Sequence, residues 1–327
     1  MTETLILREL IAAEPGWVSG GAMAAKLGVS RVSVWHQMEK LRAQGFSFEA
    51  QPARGYRLSG RPGMLHAGLV EAQLKIRRKG FTFAVLDEVD STNDECARQL
   101  AAGKTAPFAI FAQKQTKGRG RFGRVWHSAA KGNLYCSFAF RPRIAPERMQ
   151  TFTLWMGVTI CELVSKFVPV LPGVKWPNDI VFGARKAGGM LTEARVDADE
   201  IRDMVFGLGL NVNSPAADWP SELSRRAVSL SEIAGAPVDL NRLTAALIGR
   251  VLLAYERFTE GDHVDLFAEL WNKHDVLRGR EVTLVEGTRK RRGKVLGVDD
   301  VGSLLIRDDH GHTRGFRAGE VTVEKDA

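Results

Sequence analysis

Along the first 60 residues, apolar positions recur first at helical spacing and then at strand spacing. Leu7 and Ile11 fall on one face of a first helix, and Gly20–Leu27 reads as a short second one. Gly28-Val29-Ser30 predicts a tight turn in which Ser30 caps a third helix, with Val34, Met38 and Leu41 recurring at i, i+4, i+7. Two short strands, Phe46–Glu49 and Tyr56–Leu58, then flank Pro52-Ala-Arg-Gly55. Helix, turn, helix and β-wing is the layout of a winged helix-turn-helix. On that layout Arg31, Ser33, His36 and Gln37 face a major groove, and Arg54 at the wing tip meets phosphate or the minor groove. The alternative is a winged helix that only packs against its own chain or a partner.

Gly60-Arg-Pro-Gly63 has the composition of a linker. Beyond it, Phe81–Leu86, Phe108–Ala112, Leu134–Phe140 and Met204–Leu210 read as strands, and Thr151–Phe167 and Leu240–Phe258 as amphipathic helices. Their order lacks a steady β-α-β alternation, which favours an α+β class with a mixed sheet. From Arg280 the pattern shortens to Val282–Val285, Gly293–Val298, Leu304–Arg307 and Val321–Val323, the spacing of a small barrel of about five strands. The expected domains are therefore 1–62, 63–272 and 273–327.

Composition narrows the function classes. The 327 residues are 44% hydrophobic and 26% charged, ordinary for a globular chain, and no stretch reaches the roughly 18 apolar residues that span a bilayer. Met1-Thr-Glu-Thr-Leu5 lacks a signal-peptide pattern, and a cytoplasmic protein without membrane contact is expected. Cys96, Cys136 and Cys161 are too scattered for a disulfide framework or a structural metal site. The net charge of +8 permits anionic partners without requiring them.

Chemistry concentrates in Gln113–Arg124. Gly118, Gly120 and Gly123 match Gly-x-Gly-x-x-Gly, but a strand follows instead of a helix, and no acid stands between Gly123 and Glu147 to take a ribose hydroxyl. Nor does a Lys-Ser or Lys-Thr complete a Walker A loop. Lys117, Arg119, Arg121 and Arg124 interleaved with glycine suit a wrap around an anion, or a solvated basic loop. Asp90–Glu95 opens a helix, and Thr92 with Glu95 fits a capping box that also leaves polar groups near free N–H donors. Lys175-Trp-Pro-Asn-Asp179 leads through a strand and a Gly183 turn to Lys186 and Gly189. In Gly207-Leu-Gly-Leu-Asn211 two glycines share a strand face that something must approach closely.

These segments, in this order, resemble the biotin protein ligase family, specifically its bifunctional members that also repress biotin operon transcription. The carriers are Ser91-Thr-Asn93, Gln115 with Gly118-Arg-Gly-Arg121, Trp126, Asn133-Leu-Tyr135, Lys175–Asp179, Lys186 and Gly207-x-Gly-x-Asn211. The resemblance spans essentially the whole chain. It implies a central mixed-sheet domain like those of class II aminoacyl-tRNA synthetases and biotin ligases, followed by an SH3-like β-barrel.

It also implies roles. Lys186 sits at the biotin carboxylate and phosphate, and Arg119 and Arg121 hold the phosphate within the Gly118/Gly120 loop. Ser91, Thr92, Asn93 and Gln115 satisfy the ureido ring, Trp126 packs on the apolar part of the ligand, and Gly189, Gly207 and Gly209 leave room for it. Asn178 and Asn211 face the adenine, and Asp179 serves Mg²⁺ or orients Lys186 and the acceptor lysine. Mg-ATP and biotin enter as substrates, with no tightly bound cofactor. The implied partners are the biotin carboxyl carrier protein of acetyl-CoA carboxylase, operator DNA, and a second copy of the chain once biotinyl-AMP is bound. Two departures stand out. Phe122 occupies a place where the family often has arginine, and Ala227-Val-Ser-Leu230 offers no aromatic to stack on adenine. The basic run Arg289-Lys-Arg-Arg292 reads as a solvated hairpin, with contact to ATP or the acceptor domain as the alternative. A lipoate ligase would share the fold and the lysine but not the Gly-Arg-Gly-Arg and Lys-Trp-Pro-Asn-Asp pair. A regulator with a degenerate ligase domain would have lost Lys186 or the arginine loop.

Overall fold

The computed structural model describes residues 2–75, 78–128 and 132–324. It divides into two compact units, Met1–Arg77 with Asp239–Gly249, and Arg78–Val238 with Arg250–Ala327.

The first unit holds α1 (Thr2–Ala13), α2 (Gly20–Leu27), α3 (Arg31–Ala43), β1 (Ser47–Gln51), β2 (Gly55–Gly60) and α4 (Ala67–Gln73). Ser19 caps α2 by accepting from the Ala22 N–H, Gly28 ends it in the left-handed region, and Ser30 caps α3 by accepting from Ser33. Val34, Met38 and Leu41 are buried with Ile6, Leu7 and Leu10, so the helical stripe read from sequence is the core stripe. The strands β1 and β2 form the antiparallel wing. Helix α4, which the sequence pattern did not reveal, adds Leu69 and Ala72 to this core. The unit therefore continues past residue 62.

The second unit is built on a seven-stranded sheet. Its strands are β3 (Thr82–Val89), β4 (Phe108–Gln115), β5 (Leu134–Phe140), β6 (Gly173–Lys175), β7 (Asp179–Phe182), β8 (Arg185–Asp197) and β9 (Glu200–Leu210), in the order β3-β4-β5-β9-β8-β7-β6. Only β3–β4 is parallel, so the sheet is mixed as expected. Helix α5 (Thr92–Ala101) covers one side through Cys96 and Leu100. The helix α6 (Arg148–Val164) departs from the amphipathic expectation, since every residue from Thr151 to Cys161 is buried. It packs against β6, β7 and β8 of the sheet and also against the later helix α9 (Val264–His274), which leaves it no solvent face. Between them in sequence run α7 (Leu230–Ala234) and α8 (Leu240–Glu260), the latter belonging to the first unit as far as Gly249.

The chain ends in β10 (Glu281–Glu286), β11 (Arg289–Val298), β12 (Leu304–Arg307), β13 (Thr313–Phe316) and β14 (Glu320–Val323). They form an antiparallel sheet ordered β13-β12-β11-β10-β14. The edge strands β13 and β14 are not paired, so this is an open sheet and not the closed barrel expected. The basic run Arg289–Arg292 is an exposed arm of the β10–β11 hairpin. No described helix is long and apolar enough to cross a membrane.

Candidate active site

The central sheet carries a cavity of about 770 Å³ whose wall gathers residues from Ser91 to Thr322. Its floor is the place where β9 and β8 run beside each other and glycine replaces side chains. A Cβ on Gly207 would lie 2.2 Å from Asn93 Oδ1, and one on Gly209 would lie 2.5 Å from Trp126 Cε2. Gly189, paired with Gly209 across the ladder, faces the same indole at 2.9 Å. The space expected for a ligand at these glycines is thus filled by the protein's own Asn93 and Trp126.

At one end lies a buried polar network. Ser91, not Thr92, caps α5, accepting from the Asp94 N–H. That frees Thr92, whose N–H and hydroxyl both donate to Gln115 Oε1 at 2.9 and 3.1 Å. Gln115 Nε2 donates to Ser128, and the Ser137 hydroxyl lies 2.8 Å from Thr92 Oγ1 and 2.6 Å from Asn93 Oδ1. Asn93 Nδ2 donates to Glu193 at 2.7 Å. Ser91, Thr92 and Asn93 are all nearly inaccessible, so a set of fixed donors and acceptors stands ready for a small polar ring.

At the other end Lys186 Nζ pairs with Asp179 Oδ1 at 2.6 Å and lies 5.2 Å from the centre of the Trp126 ring. Lys175 comes near this pair; burial pulls its ammonium below the ordinary lysine value, with Asp179 opposing and Lys186 adding to the shift. Asn178 Nδ2 donates to the Met190 carbonyl, and Asn211 Nδ2 donates to the carbonyls of Lys186 and Val228. Both line the cavity, and both brace the backbone that carries Lys186.

The basic loop folds back on itself. Trp126 N–H donates to Gly118 and Gly120 N–H to Arg124, while Phe122 sits in the left-handed region at φ 56° and is 67% exposed. Arg119 is held by Glu193 at 2.9 Å and Asp94 at 2.5 Å. Burial opposes its charge, but these bonds outweigh burial and leave the guanidinium above its ordinary value. Arg124 pairs with Glu320 of β14. Arg121 has no carboxylate in ion-pair range among the described residues, and burial pulls it below the ordinary arginine value with Asp179 opposing. The structure thus brings the ligand-site residues expected from sequence around one cavity, except Gly118, which is not among its lining residues. Sequence reasoning named Lys175 and Asp94 within their motifs without giving either a site role, and it missed Glu193 and Glu320, which with Asp94 occupy the cations, and Trp219. The indole Nε1 of Trp219 is buried without a hydrogen-bond partner at the cavity wall. The signal for Trp219 was the aromatic itself, eight residues before the Ala227 segment.

In the first unit Arg31 and His36 are exposed on α3, whereas Ser33 and Gln37 are half-buried. Arg54 is exposed on the wing, with its guanidinium 5.1 Å from the Trp17 ring.

A mixed-sheet cavity with paired lysine and carboxylate, an arginine loop and an appended helix-turn-helix define the class: an acyl-transferring ligase joined to a DNA-binding type of module. Residues 85–211 match the biotin/lipoate A/B protein ligase family, and residues 2–57 match a helix-turn-helix domain. The bifunctional ligase/repressor BirA of Bacillus subtilis is 33% identical over 92% of this chain and 93% of its own, and that of Escherichia coli 31% identical over 93% and 92%. The chain belongs to this bifunctional ligase/repressor family. A biotin protein ligase from Aquifex aeolicus, solved with biotin and ATP, superposes with a TM-score of 0.64 at 29% identity, covering 75% of this chain and 99% of that one.

Proposed function

We propose that the chain joins biotin to ATP as biotinyl-5′-AMP and passes the biotinyl group to a lysine of the biotin carboxyl carrier protein of acetyl-CoA carboxylase. The observation that carries this reading is the cavity itself: a buried hydroxyl–amide network at one end and the Lys186–Asp179 pair at the other, bridged by Trp126. In the first step a biotin carboxylate oxygen attacks the α-phosphorus and pyrophosphate leaves. Two anions must approach, so fixed positive charge near the reacting atoms is the chief requirement. Lys186 supplies it, held in place by Asp179 and by the Asn211 bonds to its backbone. Arg119 and Arg121 hold the phosphate, with Gly118 and Gly120 giving the loop close approach.

Ser91, Thr92, Asn93 and Gln115 pair with the ureido ring, which cannot be buried with its polar atoms unmet. Trp126, seated against Gly189 and Gly209, packs on the apolar part of the ligand. The adenine lies toward Asn178, Asn211 and Trp219, the last supplying the aromatic that Ala227–Leu230 lacks. Mg²⁺ accompanies ATP, with Asp179 as the nearby carboxylate. In the second step the carrier amine attacks the acyl carbon and AMP leaves, so proximity dominates and no covalent enzyme nucleophile is required.

In this reading the adenylate also favours a homodimer whose two winged helices contact operator DNA through Arg31, Ser33, His36, Gln37 and Arg54. The three cysteines, free and buried, fit a reducing cytoplasm.

The test mixes the protein with biotin, Mg-ATP and a carrier domain and weighs the carrier by mass spectrometry. The wild type adds one biotin, and Lys186→Ala slows the addition by at least about a hundredfold. An unmodified carrier with the intact protein would overturn the ligase reading. Gel filtration with biotinyl-AMP at micromolar protein would remove the dimer if the mass stayed monomeric.

A further inference from the structure

The exposed face of α3 is not purely polar. Val32 is 63% and Trp35 48% exposed, although a helix of this size has a core stripe in which large apolar side chains could be placed. Trp35 does not join that stripe. Val34 and Met38 fill it, and the Trp35 ring stands out beside His36, edge to face at 4.9 Å. Val32 and Trp35 border a concavity of about 710 Å³ whose far wall is the wing at Pro52 and Ala53. Arg31 lines it from the helix, and Arg54 follows the lining residue Ala53 on the wing, its guanidinium over Trp17. An apolar patch with guanidinium groups beside it and a wing behind it suits a polyanion that also presents apolar groups.

Duplex DNA meets that description in one place. On the major-groove edge of the bases the C5-methyl of thymine is the apolar group, and it projects toward an inserted helix. Neither Val32 nor Trp35 was among the polar candidates read from sequence, because hydrogen-bonding side chains were sought there. We propose that Val32 and Trp35 are specificity-determining residues that recognise thymine methyl groups, while Arg31 and the wing supply the phosphate contacts that position the helix. This rests on the reading that the first unit binds DNA.

The experiment selects a random duplex library on the full-length protein with biotin and Mg-ATP present. The enriched duplex is remade with deoxyuridine replacing each thymidine in turn, which removes one methyl and leaves every hydrogen bond intact. At one or more positions wild-type affinity falls about fourfold per methyl, the factor for burying one methylene-sized group. Trp35→Ala, checked for folding by its circular dichroism melt, binds thymine and uracil duplexes equally at those positions. As a measurement on the wild-type protein, 5-iodouracil at a sensitive position crosslinks under light to the tryptic peptide Val32–Lys40. Affinity indifferent to uracil throughout, or a crosslink to another peptide, overturns the inference while leaving DNA binding intact. If no duplex is enriched at all, the DNA-binding reading fails and takes the inference with it.

Discussion

The two ligand-facing surfaces of this chain solve opposite problems. In the catalytic cavity, three of the cations already hold carboxylates: Lys186 has Asp179, Arg119 has Asp94 and Glu193, and Arg124 has Glu320. On α3 of the first unit Arg31 and His36 stand exposed with no carboxylate in ion-pair range among the described residues, beside an apolar patch. The cavity is therefore organised before its anionic substrates arrive, at the cost of competition with its own acids. On the proposed DNA-binding reading, the helix face keeps the Arg31 guanidinium free for a polymer whose phosphates come in rows. Preorganisation suits a reaction whose transition state needs fixed charge, and open charge suits a partner that is found by diffusion along many sites.

The sharpest way to break the preorganised side is to fill the cavity floor. Gly207→Ala would place a Cβ 2.2 Å from Asn93 Oδ1, and Asn93 is tied to Ser137, Glu193 and the Leu191 carbonyl. Asn93 must turn away and leave buried groups unmet, a cost of about 1–3 kcal/mol, or roughly fivefold to a hundredfold in biotin Kd. Calorimetric titration of biotin reads this, and the melt of the first unit stays unchanged. An unaltered Kd would mean that the Asn93 position is not part of the biotin site.

Competition between substrate and internal acids is tested by Glu193→Gln. The amide still accepts from Asn93 Nδ2 but no longer pairs with Arg119 as a charge. The ion pair is about two-fifths exposed, so its removal is expected to tighten ATP binding only about twofold to fivefold. Initial rates against ATP concentration measure this. A weaker KM for ATP would show that Glu193 positions Arg119 for the phosphate instead of holding it back.

What the sequence made legible follows the same division. The first unit is assembled from local signals: the Val34, Met38, Leu41 stripe, the Ser30 cap, the Gly28 stop and the strand pair around Pro52–Gly55 all act within a few residues. Helix α4 escaped because a seven-residue segment carries too few turns to show a period. In the second unit the chemical residue types were readable, but their neighbours were not. Gly207 and Asn93 are far apart in sequence and meet only because helix α5 packs against β9. The glycine pair announced a close approach without saying that Asn93 and Trp126 make it. The carboxylates that occupy the arginines were invisible for the same reason, since Glu193 lies in a stretch where the sequence shows no motif and its partners come from distant segments. Strand β13 was missed because Thr313-Arg-Gly-Phe316 holds a single large apolar residue and shows no alternation.

The smallest expected effect sharpens the comparison from the first unit, where a neutral group, not a charge pair, does the organising. His66 caps α4: its Nδ1 accepts from the Leu69 N–H at 3.3 Å, and its Nε2 lies 2.8 Å from Gln44 Oε1. That geometry needs the tautomer with the proton on Nε2, donating to Gln44, and it is lost when Nδ1 is also protonated. Burial accordingly lowers the His66 pKa below its ordinary 6.5, against a weaker pull from Glu3. The unfolded chain then binds the proton more readily than the folded one. Stability from this site is full above pH 6.5 and declines as pH falls from 6.5 through the lower folded value. The melting temperature of the first unit should drop between about pH 7.5 and about pH 5.5, the range in which histidine changes charge. Replacing His66 with Asn keeps a capping acceptor that does not titrate in this range and should remove the histidine-dependent part of the drop. An equal drop in wild type and His66→Asn would show that the pH response arises elsewhere, and that this cap contributes through its packing against Phe46 and not through its proton.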